Sequence, residues 1–328
     1  MAKGFGILLV VLGHCLDGLI AARYFPENVL WPGLAVYVIY LFHMPLFFVV
    51  SGHLASGKHR PAGATIARLV PTIVYPYFLW SLLEGLALIG LGGYTNGHAG
   101  PATLYRILWA PIVPYWFLYA LFVSHVLYLA TRRLSYPVQV VLAVVLFVVP
   151  TIFTPFMGRY QLGVVLQSMR GFLFFTLGAV SVAQVKQLGR WAAVVSTVLF
   201  VALAVAFQQA QFSERLVLIW VLPAAVAGIV ATLAWSRLVA QARSLRVVSS
   251  VLAFFGRYSM SVYVMHIFFT AGVRIALKRL SAHPTALVTF VEIAAAMVAG
   301  TLLPLGINWL VSKFDLDGWF GLQHMEVR

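Results

Sequence analysis

Three ionisable side chains, Lys3, His14 and Asp17, lie in the first apolar stretch of the sequence, KGFGILLVVLGHCLD. An α-helix turns by roughly 100° and rises about 1.5 Å per residue, so the eleven steps from Lys3 to His14 come to about 1100° and about 16 Å. Both side chains then lie on one helix face, and Asp17, three residues further on, shares it. An imidazole takes up and releases protons near neutral pH. The spacing therefore predicts a proton-transfer group and a cation on one face of a single helix.

Ionisable groups are costly in a stretch that crosses a membrane. A charged side chain at the centre of a membrane helix costs about 2.5–3.5 kcal/mol on insertion scales. Such residues therefore usually have a functional role. A cleaved signal peptide is the alternative explanation. Lys3 would then be its charged region, and residues 20–22 would form its small-residue cleavage site. His14 and Asp17 disfavour that explanation, because the central region of a signal peptide is apolar.

A second histidine precedes a proline in the stretch FHMPLFFVVSGH, residues 42–53. Pro45 predicts a local distortion of a membrane helix. His43, if buried in a helix bundle, needs a hydrogen-bond partner, which makes it a candidate for a functional site. Ser51 and Gly52 fit tight packing between helices, since small residues let two backbones approach closely.

A polar stripe is predicted in the stretch FFGRYSMSVYVMH, residues 254–266. Ser259, Tyr263 and His266 stand at positions i, i+4 and i+7, so they share one face of an otherwise apolar helix. Such a stripe is either a structural ladder of hydrogen bonds or the wall of a site, and the residues alone leave both open.

One arginine lies deep inside a predicted span, in the stretch QSMRGF. Arg170 is too far from either end of this span to be counted as a loop residue, so it needs an anionic partner or a water-filled cavity. Glu84 and Glu292 also lie within predicted spans and are the candidate partners.

The composition indicates what kind of element must position these side chains. The chain of 328 residues is 62% hydrophobic and 9% charged, against roughly 25% charged residues in soluble domains. The net charge of +14 is explained by Lys and Arg in cytoplasmic loops rather than by nucleic-acid binding. The single cysteine, Cys15, excludes a disulfide framework. The sequence therefore predicts an integral membrane protein made of helices.

We predict an all-α polytopic membrane protein of about ten transmembrane helices. The predicted spans lie near residues 4–22, 30–54, 66–92, 113–131, 136–156, 163–183, 190–210, 215–236, 250–273 and 285–312. The positive-inside rule then places both termini in the cytoplasm. Its main exception is the cluster Arg274, Lys278 and Arg279, which this count places outside. Because no stretch resembles a soluble domain or a linker, residues 1–328 are predicted to form one domain.

Four stretches resemble the acyltransferase 3 family in the expected order: KGFGILLVVLGH, FHMPLFFVVSGHL, YWFLYALF (residues 115–122) and FFGRYSMSVYVMH. The most similar branch is that of the fucose 4-O-acetylase-like membrane O-acetyltransferases. These stretches are spread over nearly the whole chain. The resemblance implies an acyltransferase 3-like helix bundle forming a single transmembrane acyltransferase domain.

The resemblance also implies an activity. Such proteins move an acyl group, usually acetyl from acetyl-CoA on the cytoplasmic side, to a hydroxyl of a carbohydrate or glycoconjugate. In their first span an Arg or Lys precedes a histidine by ten intervening residues, and the matching residues here are Lys3 and His14. Many relatives carry two arginines one helical turn apart at the start of the third span, whereas this chain has only Arg68 there.

His14 is the expected general base, because a neutral imidazole can remove the proton from an acceptor hydroxyl as it attacks the thioester. Asp17 is the second predicted catalytic residue and would orient the imidazole. Burial favours the neutral ring, whereas a nearby carboxylate favours the charged ring, and the sequence does not decide between them. Direct transfer and an acyl-histidine intermediate both remain open, direct transfer being simpler.

The remaining predicted site residues fall into two groups. The coenzyme phosphates are expected to meet four cations: Lys3, Arg68, Lys58 and Arg60. The acceptor is expected to meet five residues: His43, Trp116, Arg170, Tyr263 and His266. Trp116 would stack on a sugar ring, although an interfacial aromatic belt explains it equally well. No metal site is expected, because the histidines and the cysteine form no recognised ligand motif.

A multi-span transporter or flippase for an anionic or sugar-containing substrate is the main alternative, since it too would place charged groups in a cavity within the membrane. A structural membrane subunit is a third possibility. The expected location is the bacterial inner (plasma) membrane. The expected partners are acyl-CoA, the carbohydrate acceptor, membrane lipid and a second copy of the chain in a homodimer, with no nucleic acid.

Overall fold

The computed structural model describes residues 1–26, 28–56, 60–92, 99–152, 163–209, 214–280 and 285–325. Every regular element within these ranges is helical. The α-helices are α1 (Ala2–Ala21), α2 (Trp31–Ser56), α3 (Ala62–Leu69), α4 (Tyr75–Gly90), α5 (Ala102–Arg106), α6 (Trp116–Thr131), α7 (Tyr136–Ile152), α8 (Gly163–Val180), α9 (Val182–Val185), α10 (Arg190–Gln209), α11 (Glu214–Gln241), α12 (Arg246–Arg257), α13 (Ser259–Leu280), α14 (Ala286–Lys313) and α15 (Asp317–Phe320).

The prediction of an all-α polytopic membrane protein is confirmed. Eight helices in the described ranges are long and apolar enough to cross a membrane, and two shorter apolar helices, Trp116–Thr131 and Tyr136–Val149, lie between them in the chain. Large apolar side chains such as Val141 and Val198 are exposed along these helices. An apolar exterior of this kind suits contact with lipid rather than water.

Two predicted spans differ from the helices observed. The span predicted from residue 250 is wrong at its start, because α12 ends at Arg257 and α13 begins at Ser259. The helix α12 is amphipathic and largely exposed, which suits a position along the membrane interface rather than across the membrane. The third span is α3 and α4 joined by a π-helical segment, Val70–Val74, which includes Pro71. Proline removes a backbone donor, and such interruptions are where wider helical turns occur.

The chain divides into two compact units. The first unit consists of Met1–Gly6, Leu41–Leu69 and Trp116–Gly256. The second unit consists of Ile7–Tyr40, Val70–Tyr115 and Arg257–Arg328.

In the first unit, glycines bring α2 and α8 into backbone contact. A Cβ atom added at Gly52 would lie 1.9 Å from the carbonyl oxygen of Phe175, and one added at Gly178 would lie 2.0 Å from that of Val49. No side chain fits at either position. The small-residue packing predicted for Gly52 therefore matches the contact that the structure shows.

We expect Gly178→Ala to destabilise the protein, because the new methyl group would force α2 and α8 apart. Overpacking of this kind costs about 1–3 kcal/mol, more than the ~1 kcal/mol that alanine gains over glycine in a helix. The matched control is Gly272→Ala in α13, where an added Cβ meets nothing within 4 Å. Thermal unfolding in detergent should show a lower Tm for Gly178→Ala and an equal or higher Tm for Gly272→Ala. Equal losses in both variants would contradict the close contact.

The start of α1 belongs to the first unit and lies directly against α12. A Cβ atom on Gly4 would lie 1.8 Å from the carbonyl oxygen of Leu252 and 2.9 Å from the backbone nitrogen of Gly256. The Ser249 hydroxyl also donates to the Met1 sulfur at 3.3 Å. The backbone of α1 is therefore held closely at the level of Lys3.

In the second unit, α13 and α14 pack along one another and against α1. A Cβ atom at Gly300 would lie 2.7 Å from Thr270 Cγ2 and 2.9 Å from Val11 Cγ1, so glycine allows all three helices to meet. A small apolar cluster closes the end of this packing and consists of Cys15, Leu19, Tyr24 and Ala296. The C-terminal end is joined to α4, since the Trp80 indole donates to the Phe320 carbonyl at 3.0 Å.

Candidate functional site

A cavity of about 40 Å³ lies between α1, α13 and α14 in the second unit. Its polar lining comes from His14 and Cys15 on α1, Thr270 and Arg274 on α13, and Glu292 on α14. A water molecule needs about 10–15 Å³ in this measure, so the cavity holds about three or four groups of that size. The predicted catalytic histidine therefore lines a partly open cavity that has charged and polar side chains in its wall.

A second histidine stands beside His14. The ring centroids of His14 and His266 are 5.3 Å apart with the planes tilted by 42°. The Tyr40 ring lies on another side of His14 with a centroid separation of 6.1 Å. His14 is half-buried, whereas His266 is fully buried.

The hydrogen bonds of His266 define its tautomer. Its Nδ1 lies 2.7 Å from the carbonyl oxygen of Tyr263 and 3.2 Å from that of Val262. Carbonyl oxygens only accept, so Nδ1 carries the proton and, in the neutral ring, Nε2 is an acceptor. This Nε2 is buried and has no hydrogen-bond partner among the described residues. A lone pair that needs a donor therefore sits next to the His14 ring.

Arg274 and Glu292 bring opposite charges to the cavity. Their side chains are 9% and 0% exposed. Arg274 Nη1 donates to the Gly18 carbonyl at 3.2 Å. The Tyr24 hydroxyl approaches Glu292, but neither carboxylate oxygen has a partner with hydrogen-bond geometry in the described chain. Burial and the Glu292 charge raise the pKa of Tyr24, so its hydroxyl stays protonated as a donor.

The polar stripe predicted on residues 259–266 extends two turns further than expected. Ser259, Tyr263 and His266 are all buried, and Thr270 and Arg274 continue the same face at steps of four residues. Sequence reasoning treated Arg274 as an outside loop cation and did not connect Thr270 with the stripe. The periodicity was the available signal, because i and i+4 neighbours on a helix share a face.

Two tyrosines anchor this helix. The Tyr115 hydroxyl donates to the Val264 carbonyl at 2.7 Å, and the Tyr263 hydroxyl donates to the Pro114 carbonyl. Burial, with the nearby Glu84 adding to it, raises the pKa of Tyr115 well above its ordinary value. Tyr263, predicted to contact the acceptor, thus uses its hydroxyl within the protein. Glu84 lies beside Tyr115 and does not line the cavity.

Asp17 shares α1 with His14 but is exposed and does not line the cavity. Its charge acts on Tyr40. Within the described residues no ion pair joins Asp17 to His14. The titratable side chain that the structure places beside the His14 ring is instead His266, with the ring centroids 5.3 Å apart.

Six further predicted site residues belong to the first unit: Lys3, His43, Arg60, Arg68, Trp116 and Arg170. His43 is buried, Lys3, Trp116 and Arg170 are half-buried, and Arg60 and Arg68 are exposed. Lys58, the remaining predicted cation, lies outside the described residues. Lys3 and His14 are on the same continuous helix, α1, as predicted from their spacing.

The described part of the chain has one group of metal-ligating residues, at its C-terminal end. Ligand atoms of Asp315, Asp317 and His324 lie within 4.8 Å of one another. His324 Nδ1 already contacts Asp317 Oδ1 at 3.0 Å. Two of the three residues are exposed, and none of them lines the His14 cavity.

Comparisons with known proteins point in the same direction as this geometry. The chain is similar to nodulation protein NolL of Sinorhizobium fredii, with 35% identity over 128 residues, and to nodulation protein NolL of Mesorhizobium japonicum, with 32% identity over 133 residues. Each match covers 38% of this chain and 33% of the relative. The chain thus matches about a third of the length of these curated relatives.

No solved structure matches the chain. A family model described as "Acyltransferase domain" matches residues 1–309, which include the first unit, most of the second unit and every predicted site residue. A match of this extent identifies the family even where relatives are similar over a shorter stretch. The chain belongs to the acyltransferase 3 family.

Proposed function

We propose that the protein is a membrane O-acyltransferase that moves an acetyl group from acetyl-CoA to a hydroxyl of a carbohydrate or glycoconjugate. His14 takes the proton from the acceptor hydroxyl as its oxygen attacks the thioester carbonyl. The new C–O ester bond forms, the C–S bond breaks, and the proton held by His14 passes to the departing thiolate. The products are the acetyl ester and free coenzyme A.

His266 is assigned a positioning role in this step. A neutral His14 can donate its N–H to the unpartnered Nε2 of His266, which leaves the other His14 nitrogen as the base. The hydrogen bond would also hold the ring orientation. The same arrangement stabilises the imidazolium that forms when His14 takes the proton, because a hydrogen bond to a charged group is stronger than one to a neutral group.

The coenzyme is assigned to basic side chains. Lys3, Arg60, Arg68 and Lys58 are the proposed phosphate contacts, since charge-assisted hydrogen bonds to phosphate are strong. Lys3 stands about 16 Å from His14 along α1. The long flexible arm of the coenzyme suits a separation of this size between its phosphates and its thioester.

One observation supports the proposal most strongly. His14 occupies the family's histidine position on a helix that is apolar enough to cross a membrane, and its side chain lines a cavity that also contains charged side chains. A histidine with a merely structural role would have its nitrogens engaged by neighbouring helices. The bacterial inner membrane and a homodimer belong to the same proposal, as does cytoplasmic placement of both termini.

The experiment uses the full chain, purified and reconstituted in lipid nanodiscs. Radiolabelled acetyl-CoA is supplied with a panel of methyl glycosides, and release of coenzyme A and formation of acetyl glycoside are both followed. We expect coenzyme A release to rise with glycoside in the wild type. A transporter or flippase would leave the thioester intact, so stable acetyl-CoA under all these conditions would contradict the proposal. The matched protein control is His14→Gln, in which release should not respond to glycoside.

A further inference from the structure

The charged pair beside His14 has no role in the proton transfer described above. Arg274 and Glu292 line the same cavity as His14, and both lie in helices apolar enough to cross a membrane. A buried charge without a partner is strongly unfavourable, so groups that face such a cavity require a hydrogen-bonding ligand.

The two groups do not satisfy each other. No nitrogen of Arg274 comes within ion-pair distance, 4.0 Å, of a Glu292 oxygen in the described structure. Arg274 uses one donor on the Gly18 carbonyl and retains others, since a guanidinium has five. Glu292 is fully buried, and neither of its oxygens has a partner within hydrogen-bond geometry. The nearby Tyr24 hydroxyl can donate to one of these oxygens, which leaves the other available. Donors on one side and acceptors on the other thus remain available across a space of about 40 Å³.

We propose that Arg274 and Glu292 bind two neighbouring hydroxyls of the acceptor, with Glu292 accepting from one and Arg274 donating to the other. This inference rests on the proposed function, because it assigns the acceptor side of the same site. A hydroxyl both donates and accepts, so a diol can satisfy both groups at once. The cavity holds about three or four water-sized groups at about 10–15 Å³ each, which suits the reacting edge of a sugar rather than a whole ring.

The charges also select the class of acceptor. An anionic edge, such as a carboxylate or a phosphate, would be attracted to Arg274 but repelled by Glu292, and an ammonium group would meet the reverse, so neither regains the free energy lost when its charge leaves water. Like charges in a desolvated site repel strongly. The pair therefore favours a neutral vicinal diol over a charged sugar edge.

The test measures acetyl transfer by the full chain in nanodiscs to three neutral probes: methyl α-D-mannopyranoside, methyl α-D-galactopyranoside and methyl α-L-fucopyranoside. Glu292→Gln should raise the KM for the best probe about tenfold or more, since the bond lost is to a charged group. The KM for acetyl-CoA should stay within about two-fold of the wild type, because Glu292 is not among the proposed coenzyme contacts. Methyl α-D-galactopyranosiduronate, which carries a carboxylate, should be a poor acceptor for the wild type.

The matched control is Glu84→Gln, which makes the same chemical change at another buried glutamate of the second unit. Glu84 does not line the cavity. Its variant should keep both the glycoside KM and the KM for acetyl-CoA within about two-fold of the wild type.

A second readout needs no acetyl-CoA. Cys15 is the single cysteine of the chain and lines the cavity, so its modification by methyl methanethiosulfonate reports occupancy. A bound neutral glycoside should slow this reaction by about threefold or more in the wild type and in Glu84→Gln, but not in Glu292→Gln.

The outcomes separate this inference from the proposed function. Protection of Cys15 that depends on Glu292, without any cleavage of acetyl-CoA, would support the diol site and count against the acyltransferase. Acetyl transfer with a glycoside KM unchanged in Glu292→Gln would overturn the diol site and leave the acyltransferase standing. The diol site is also overturned if no probe protects Cys15 and none is acetylated by the wild type, or if Glu292→Gln raises the KM for acetyl-CoA as far as the KM for the glycoside.

Discussion

His14→Gln is expected to lower acetyl transfer by about 10²–10⁴-fold, the usual contribution of a positioned general base. Glutamine keeps a polar side chain of similar length against the cavity but cannot take up a proton near neutral pH. The loss should fall on kcat, because the base acts only as the hydroxyl attacks. The measurement is formation of acetyl glycoside by the purified chain at saturating acetyl-CoA.

The matched control is His125→Gln on α6. His125 Nδ1 contacts the carbonyl of Leu121 at 2.8 Å within its own helix. Its ring packs against Phe175 with a centroid separation of 4.7 Å, which indicates a structural residue. Transfer by His125→Gln should stay within about two-fold of the wild type once the folded fraction is matched. A His14→Gln variant that keeps more than about a tenth of wild-type kcat would remove His14 from the role of base.

His266→Phe is expected to lower kcat for transfer by about 10- to 150-fold while leaving the KM for acetyl-CoA nearly unchanged. Phenylalanine fills the buried space but offers no acceptor to the His14 ring. A hydrogen bond to a group that becomes charged is worth about 1.5–3 kcal/mol, which corresponds to this range of rates.

His266→Gln distinguishes positioning from packing. The glutamine carbonyl oxygen can accept from His14 much as Nε2 does, so this variant should recover part of kcat, to within about tenfold of the wild type. If Phe and Gln lower kcat equally, or if both also raise the KM for acetyl-CoA, then His266 supports the helix rather than the base. Thermal unfolding of both variants shows whether packing has changed.

The transmembrane helices are predictable from composition, because a stretch of about 20 apolar residues has few stable alternatives to crossing a membrane as a helix. The break at Tyr258 was not predictable in the same way. Residues 250–257 are apolar enough to continue a membrane span. Whether they do so depends on how α12 packs against its neighbours, which the sequence of this stretch does not contain. The close backbone contacts of Gly4 and Gly178 likewise depend on which helices pack together.

The candidate site was predictable only for residues that lie on the same helix. The apolar stretch correctly predicted one helix that carries both Lys3 and His14, and the stripe on α13 pointed to buried polar residues. The proximity of His266 to His14 joins helices far apart in sequence, and Glu292 and Arg274 line one cavity from two neighbouring helices. Helical periodicity describes one face of one helix, so it contains nothing about which faces meet.

The contact between Gly4 and the carbonyl of Leu252 has a mechanical consequence for α1. If α1 moved by one helical turn along its axis, toward its own amino end, the Leu8 side chain would replace Gly4 at this contact, where no side chain fits. The amino end of α1 is thereby locked in register against α12. Because an α-helix rises by about 1.5 Å per residue, the register at Gly4 also sets the height of the neighbouring Lys3 side chain along α12.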